Sequence, residues 1–260
     1  GGVMQRDAEA LDLGSHGAIE HDDAARAKLV VENHSPRLSR GSGAHSLGDS
    51  EIKLAVIGLG LRMAVVVTHL CRVDPRVRLV AICDPQPLGR QLLDSAGVPY
   101  GDHFDDPARM LETLSPDWVL VGSPNHLHLE HIRLGLEAGC HVFSEKPVVR
   151  TQDETWELCR LLARHGASRL IVGLVLRSAP LVVAVRRHLE AGRLGRIVSA
   201  EANEHLHPEH GGFLARDWRR RSEWGGSFLL DKCCHDFDLY RLFVGALPSR
   251  VVSFAGRSIF

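Results

Sequence analysis

Two glycines one residue apart, Gly58-Leu59-Gly60, stand where a β-branched apolar run ends and an amphipathic stretch begins. At a strand-to-helix turn of this kind the unbonded N–H groups of the first helical residues, here Leu61 and Arg62, can receive a pyrophosphate. Glycine is needed wherever a Cβ would block the turn or the phosphate. Met63 occupies the place of the third glycine in the GxGxxG pattern, and a purely structural turn would also use GxG. Asp84 closes the following apolar run, in Ala-Ile-Cys-Asp. An acid at that strand end accepts hydrogen bonds from the adenosine ribose hydroxyls of a dinucleotide; a turn Asp ahead of Pro85 would look the same. A carboxylate repels a 2′-phosphate, and no Lys or Arg directly follows Asp84, so NAD is expected over NADP, with Arg90 keeping NADP open.

Two polar loops follow later apolar runs. Gly122-Ser123-Pro124-Asn125-His126-Leu127-His128 succeeds Trp118–Val121, and Ser144-Glu145-Lys146-Pro147 succeeds the run at 141–143. In open α/β sheets the carboxyl ends of parallel strands are where ligands bind, although proline after polar residues is also ordinary loop punctuation. Asp231 and His235 are four residues apart, a spacing that puts both on one face where a helix begins. Taken alone, Asp231 would serve equally as the cap of a helix starting at Lys232, with His235 on a half-buried face.

These residues need a scaffold, and the periodicity supplies one. From Glu51 short apolar runs alternate with longer amphipathic stretches, the pattern of βαβ units and a parallel sheet. Strands are expected at 52–57, 78–83, 118–121, 141–143 and 170–172, with helices at 61–71, 86–95, 106–114, 128–138 and 152–165. Gly97, Gly139 and Gly166 close several of the helices. The expected fold class is α/β, a doubly wound Rossmann sheet over 51–175. After Gly173 the rhythm changes to a helix at 180–190, a strand at 197–203, an irregular stretch at 205–227, a helix at 232–243 and a strand from Arg250. That reads as the start of an α+β domain, 176–260, whose sheet looks incomplete at Phe260. Residues 1–50 are rich in Gly, Ser, His, Asp and Arg and too poor in apolar residues to offset ordering entropy. A disordered tail is expected there, with a short helix over 22–31.

Composition bounds the partners. A formal net charge of -1 gives no electrostatic reason to expect nucleic acid or an anionic membrane. No run approaches the length of a membrane span, and no basic-then-apolar leader opens the chain. Six scattered cysteines without a CxxC pair point to reduced thiols and a cytoplasmic setting.

Together, the glycine turn, the Ser-Pro-Asn-His loop, Glu-Lys-Pro and Asp231-Lys-Cys-Cys-His235-Asp-Phe-Asp238 resemble, in order and spacing, the glucose-fructose oxidoreductase, inositol dehydrogenase and rhizopine-catabolism (Gfo/Idh/MocA) family, from Ile52 to the C-terminus. The resemblance implies a Rossmann domain holding NAD(P) through Gly58, Gly60, Leu61, Arg62, Asp84, Ser123, Pro124, Asn125, His126, Glu145 and Lys146. It implies hydride transfer to or from a secondary hydroxyl of a sugar, cyclitol or related polyol, with a triad of Lys146, Asp231 and His235. In that triad the lysine steadies a developing alkoxide, the histidine is the general base and the aspartate orients it. It also implies a large antiparallel sheet in the second domain, used for substrate binding and dimer packing; a homo-oligomer is expected if a partner completes that sheet.

The stretch from Glu204 through Arg220 is polar and aromatic enough to line a carbohydrate site, with His207, Trp218 and Arg219 the candidates; a solvated loop is the alternative. His205, His207 and His210 with Cys233 and Cys234 match no standard zinc spacing, and no metal is expected. Two rival functions remain: a glycosidase of the same fold using tightly held NAD for transient oxidation, and an inactive nucleotide-binding fragment.

Overall fold

The computed structural model describes residues 50–205, 207, 212, 216–254 and 256. Six parallel strands, β1 (Ile52–Ile57), β2 (Val77–Cys83), β3 (Tyr100–Phe104), β4 (Trp118–Val121), β5 (His141–Ser144) and β6 (Leu170–Val172), lie in the order β3-β2-β1-β4-β5-β6. That is the doubly wound dinucleotide-binding order, with its crevice at the carboxyl ends of β1 and β4, where the winding reverses. The connections are α1 (Leu61–Val73), α2 (Arg90–Ala96), α3 (Pro107–Leu114), α4 (His128–Glu137) and α5 (Gln152–His165).

Local chemistry sets most of these boundaries. Leu54, Ala55, Val56 and Ile57 of β1 are all buried, as expected of a strand covered on both faces. Val56, Met63, Val67, Ile82, Leu93 and Leu120 pack into one core between β1, β2, β4, α1 and α2. Asp106 caps α3 by accepting from the amides of Ala108 and Arg109, and Thr151 caps α5 by accepting from that of Glu154. The αL residue Gly97 ends α2.

Three expectations fail. β3 was not foreseen: Tyr-Gly-Asp-His-Phe has no β-branched run, and its middle residues are exposed. It exists because a bare edge of β2 offers a ladder, from Leu79↔Tyr100 to Cys83↔Phe104. The expected strands at 197–203 and from Arg250 are irregular in the described residues. Val198, Val251 and Phe254 are 85%, 77% and 94% exposed; among the described residues no strand lies beside them to pair their N–H and C=O groups. The helices expected at 86–95 and 232–243 instead start at Arg90 and Cys234. The expectations for 1–49, including the helix over 22–31, lie outside the described residues.

After β6 come α6 (Pro180–Glu190), the one-turn helices α7 (Ser222–Gly225) and α8 (Phe228–Asp231), and α9 (Cys234–Val244). Arg177, in the turn after β6, donates from Nε to Asp238 Oδ2 at 2.7 Å and makes a second bond to Oδ1. This half-buried pair ties α9 to the end of the sheet.

Candidate active site

The glycine turn is shaped by backbone crowding on one side and open space on the other. Gly58 has φ +87, and a Cβ there would run into the Ser123 backbone and lie 2.6 Å from the Gly122 carbonyl carbon. Glycine is therefore dictated by the close approach of the β1 and β4 ends. Gly60, the N-cap of α1, is the reverse case: a Cβ there would meet nothing within 4 Å, and no side chain caps the helix. The first amides of α1 thus face an open cradle, which suits a pyrophosphate. Met63 is 1% exposed, and its Cε would lie 2.7 Å from a Cβ built on Gly122. The close packing usually provided by the third glycine is provided here by Gly122, across the interface.

Asp84 is anchored beside this turn. Its Oδ2 accepts the Leu59 amide and its Oδ1 the Gln86 amide, each at 2.7 Å. Each carboxylate oxygen keeps a further acceptor site, so anchoring the strand end leaves the side chain able to accept further hydrogen bonds. Arg62, in the first turn of α1, donates from Nε to Glu145 Oε1 at 3.2 Å, joining the cradle to the Glu-Lys-Pro loop.

Asp231 is the meeting point of the two strand-end loops. It is 8% exposed. Its main-chain oxygen accepts from Lys146 Nζ at 2.6 Å, and its Oδ1 lies 3.4 Å from Nζ. Asn125 Nδ2 donates to Asp231 Oδ1 at 3.3 Å and to the Gly225 carbonyl at 2.8 Å. Pro124 precedes the turn that carries Asn125 and His126. The His126 ring stacks on Trp224 with centroids 5.1 Å apart. Ser123 Oγ is bonded to His131 Nδ1 at 2.9 Å. The structure thus gathers Asn125, His126, Lys146 and Asp231 around α7 and α8.

His235 departs from expectation. Its buried Nδ1 has no hydrogen-bond partner, while the Asp231 carboxylate is engaged by Asn125 and Lys146, so the expected Asp231–His235 pairing is not formed. The cause is local: Asp231 ends α8, residues 232 and 233 form a turn, and α9 begins at Cys234. The two residues therefore sit on different helices, and four-residue spacing no longer means a shared face. Burial, then the charges of Lys146 and Lys232, push the His235 pKa below its ordinary value, against weaker opposing effects of Asp236 and Asp238.

Of the substrate candidates, Arg219 lies with its guanidinium 4.2 Å from the centroid of the Trp218 ring. Burial lowers its pKa, while Asp231 is the foremost influence holding it up. His207 is exposed on the irregular stretch; His210 lies outside the described residues. Sequence reasoning missed Trp224, the stacking partner of His126, and Arg150, which bonds the Glu223 carbonyl. It also assigned no role to the buried His128 or the half-buried His131, which lie in the first turn of α4 directly after the polar loop.

Two family models match most of the chain: the oxidoreductase family, NAD-binding Rossmann fold, over residues 52–174, and the GFO/IDH/MocA C-terminal domain over residues 182–259. The chain belongs to the Gfo/Idh/MocA oxidoreductases. Among relatives of this family, D-glucoside 3-dehydrogenase of Escherichia coli (strain K12) is 38% identical over 124 residues, 46% of this chain and 34% of that protein. The crystal structure of scyllo-inositol dehydrogenase from Lactobacillus casei, with bound NAD(H) and scyllo-inositol, is 25% identical with a TM-score of 0.62, covering 75% of this chain and 57% of that one. The WlbA (WbpB) dehydrogenase from Thermus thermophilus, in complex with NAD and UDP-GlcNAcA, is 27% identical with a TM-score of 0.56, covering 74% and 63%. The chain spans about a third to three fifths of the length of these Gfo/Idh/MocA proteins. Residues 52–174 are the family's NAD-binding Rossmann domain, and among the described residues no helix is long and apolar enough to cross a membrane.

Proposed function

We propose that this chain is an NAD-dependent dehydrogenase acting on a secondary hydroxyl, or the matching ketone, of a sugar, cyclitol or related polyol. The observation that supports it best is the Lys146–Asp231–Asn125 cluster, built from the two loops at the carboxyl ends of β4 and β5. Gly60 and the first amides of α1 hold the pyrophosphate, Asp84 the adenosine ribose, and Ser123–His126 with Glu145 and Lys146 border the rest of the dinucleotide. Asp84 favours NAD over NADP, because its carboxylate would face a 2′-phosphate.

NAD, when bound, supplies the hydride acceptor. His235 is kept neutral near neutral pH by burial and two lysines, and it removes the hydroxyl proton as a base. Lys146 carries positive charge to the reacting oxygen, stabilising the negative charge that develops there. Asp231 holds the ammonium in place and, through Asn125, fixes it to the cofactor loop. Trp218 and Arg219 present a flat ring and a cation to the substrate. Three segments divide the work: a tail over 1–50, the cofactor domain over 51–175 and a substrate and assembly domain over 176–260. Exposed Val251, Val252 and Phe254 fit burial against a second copy. The six cysteines, all free, accord with a reducing cytoplasm.

The test is incubation of the purified chain with NAD and a panel of polyols and glycosides. NADH absorbance appearing with a polyol supports the dehydrogenase. Aglycone release without net NADH would replace it with an NAD-dependent glycosidase, and neither product would leave a nucleotide-binding protein. His235→Ala should abolish NADH formation with cofactor affinity nearly unchanged.

A further inference from the structure

The mechanism leaves the buried His128 unused. His128 opens α4 directly after the Ser-Pro-Asn-His loop and is 1% exposed. Its Nδ1 lies 2.7 Å from the Pro147 carbonyl oxygen and its Nε2 lies 2.8 Å from the Ser123 carbonyl oxygen. A carbonyl oxygen only accepts, and a neutral imidazole donates from one nitrogen only. In either neutral tautomer, one ring lone pair would face a carbonyl lone pair at hydrogen-bonding distance. With both ring nitrogens protonated, both contacts become charge-assisted hydrogen bonds.

The surroundings weigh on the same question. Burial is the largest influence on His128 and pushes its pKa down. Against it, without outweighing it, stand the Pro147 and Ser123 carbonyls, then the carboxylates of Glu145 and Asp231. The neighbouring histidines do not compete for the charge. Burial, and then the charge of His128, hold His131 down at about 4. His126 is lowered by burial, then by Arg150 and His128. Burial alone would favour a neutral ring, but two acceptors in line with the two nitrogens leave that ring one donor short.

We propose that His128 is a positioning residue held as a buried imidazolium, clipping the Ser123 carbonyl of one loop to the Pro147 carbonyl of the other. Asn125 lies two residues beyond Ser123, and Lys146 immediately precedes Pro147. The clip therefore fixes the two side chains that hold Asp231. The protonation state stands on the contacts alone; its consequence for the cofactor loops rests on the function proposed above.

Long-range proton–nitrogen correlation spectra of the full chain, labelled with nitrogen-15 and with His128 assigned through its own backbone, read the protonation directly. The expected result is protons on both His128 nitrogens at a pH where the exposed histidines carry one. A bare nitrogen on His128 at every pH at which the chain is folded would overturn the proposal, whether or not NADH binds. The positioning role is read from NADH affinity against pH. In the unsubstituted chain, affinity should fall in step with loss of the second His128 proton. In His128→Gln, NADH should bind about tenfold more weakly, with that pH dependence gone. A folded Gln variant with unchanged affinity and pH profile overturns the role. If that variant fails to fold, a fall in affinity out of step with the His128 titration in the unsubstituted chain does so.

Discussion

The Lys146 ammonium lies 2.6 Å from the main-chain oxygen of Asp231 and 3.4 Å from its Oδ1, so one residue holds the cation by both backbone and side chain. Asp231→Asn keeps the shape and the backbone contact but removes the charge that faces Lys146. Because the ammonium is partly exposed, the stability change should be about 1 kcal/mol or less. Turnover should fall on the order of 100-fold. Thermal melting and NADH formation measured on the same preparation check both halves.

The Met63–Gly122 contact predicts a compensating pair. A Cβ on Gly122 would lie 2.7 Å from Met63 Cε and 2.8 Å from the Gly58 oxygen. Gly122→Ala should therefore cost about 2 kcal/mol through overpacking, and Met63→Ala about 2 to 5 kcal/mol through a cavity. Together they should cost less than their sum by about 1 kcal/mol, since each relieves part of the other's misfit. Urea unfolding of the four proteins of the cycle measures the coupling.

Stability should decline on mild acidification through His131. Its pKa is about 4 in the fold, lowered by burial from 6.5. The unfolded chain therefore binds the proton first as pH falls. The contribution is fully present above pH 6.5 and is lost progressively down to about pH 4; for this group it amounts to about 3 kcal/mol. His131→Asn should flatten that part of the unfolding free energy against pH, which chemical denaturation at a series of pH values records.

What could be read from the sequence was what depends on periodicity and on residues close in the chain. Val56, Val67 and Leu120 announce their elements by pattern, and the Gly58–Gly60 turn, Asp84, Asn125 and Lys146 fall at the strand ends that the pattern implies. β3 stayed hidden because Tyr100–Phe104 is held by the backbone ladder of β2 and has no apolar signature of its own. The Asp231–His235 relation was misread for a related reason. A turn at 232–233 breaks the helical register, and the groups that engage Asp231, Lys146 and Asn125, are distant from it in sequence. The same distance concealed Gly122 as the substitute for the third glycine, since only the fold brings it against Met63.

In the proposed function Gly60 marks an open pyrophosphate cradle, whereas Gly58 answers to backbone crowding and a positive φ. Gly60→Val places its Cβ where the protein has nothing within 4 Å, so melting should change only by the roughly 1 kcal/mol expected at a helix cap. Titration of this variant with NADH, followed by cofactor fluorescence, is the most direct measurement. A folded protein that no longer binds NADH is the expected result; a folded Gly60→Val protein binding NADH as tightly as the unsubstituted chain would rule the cradle out.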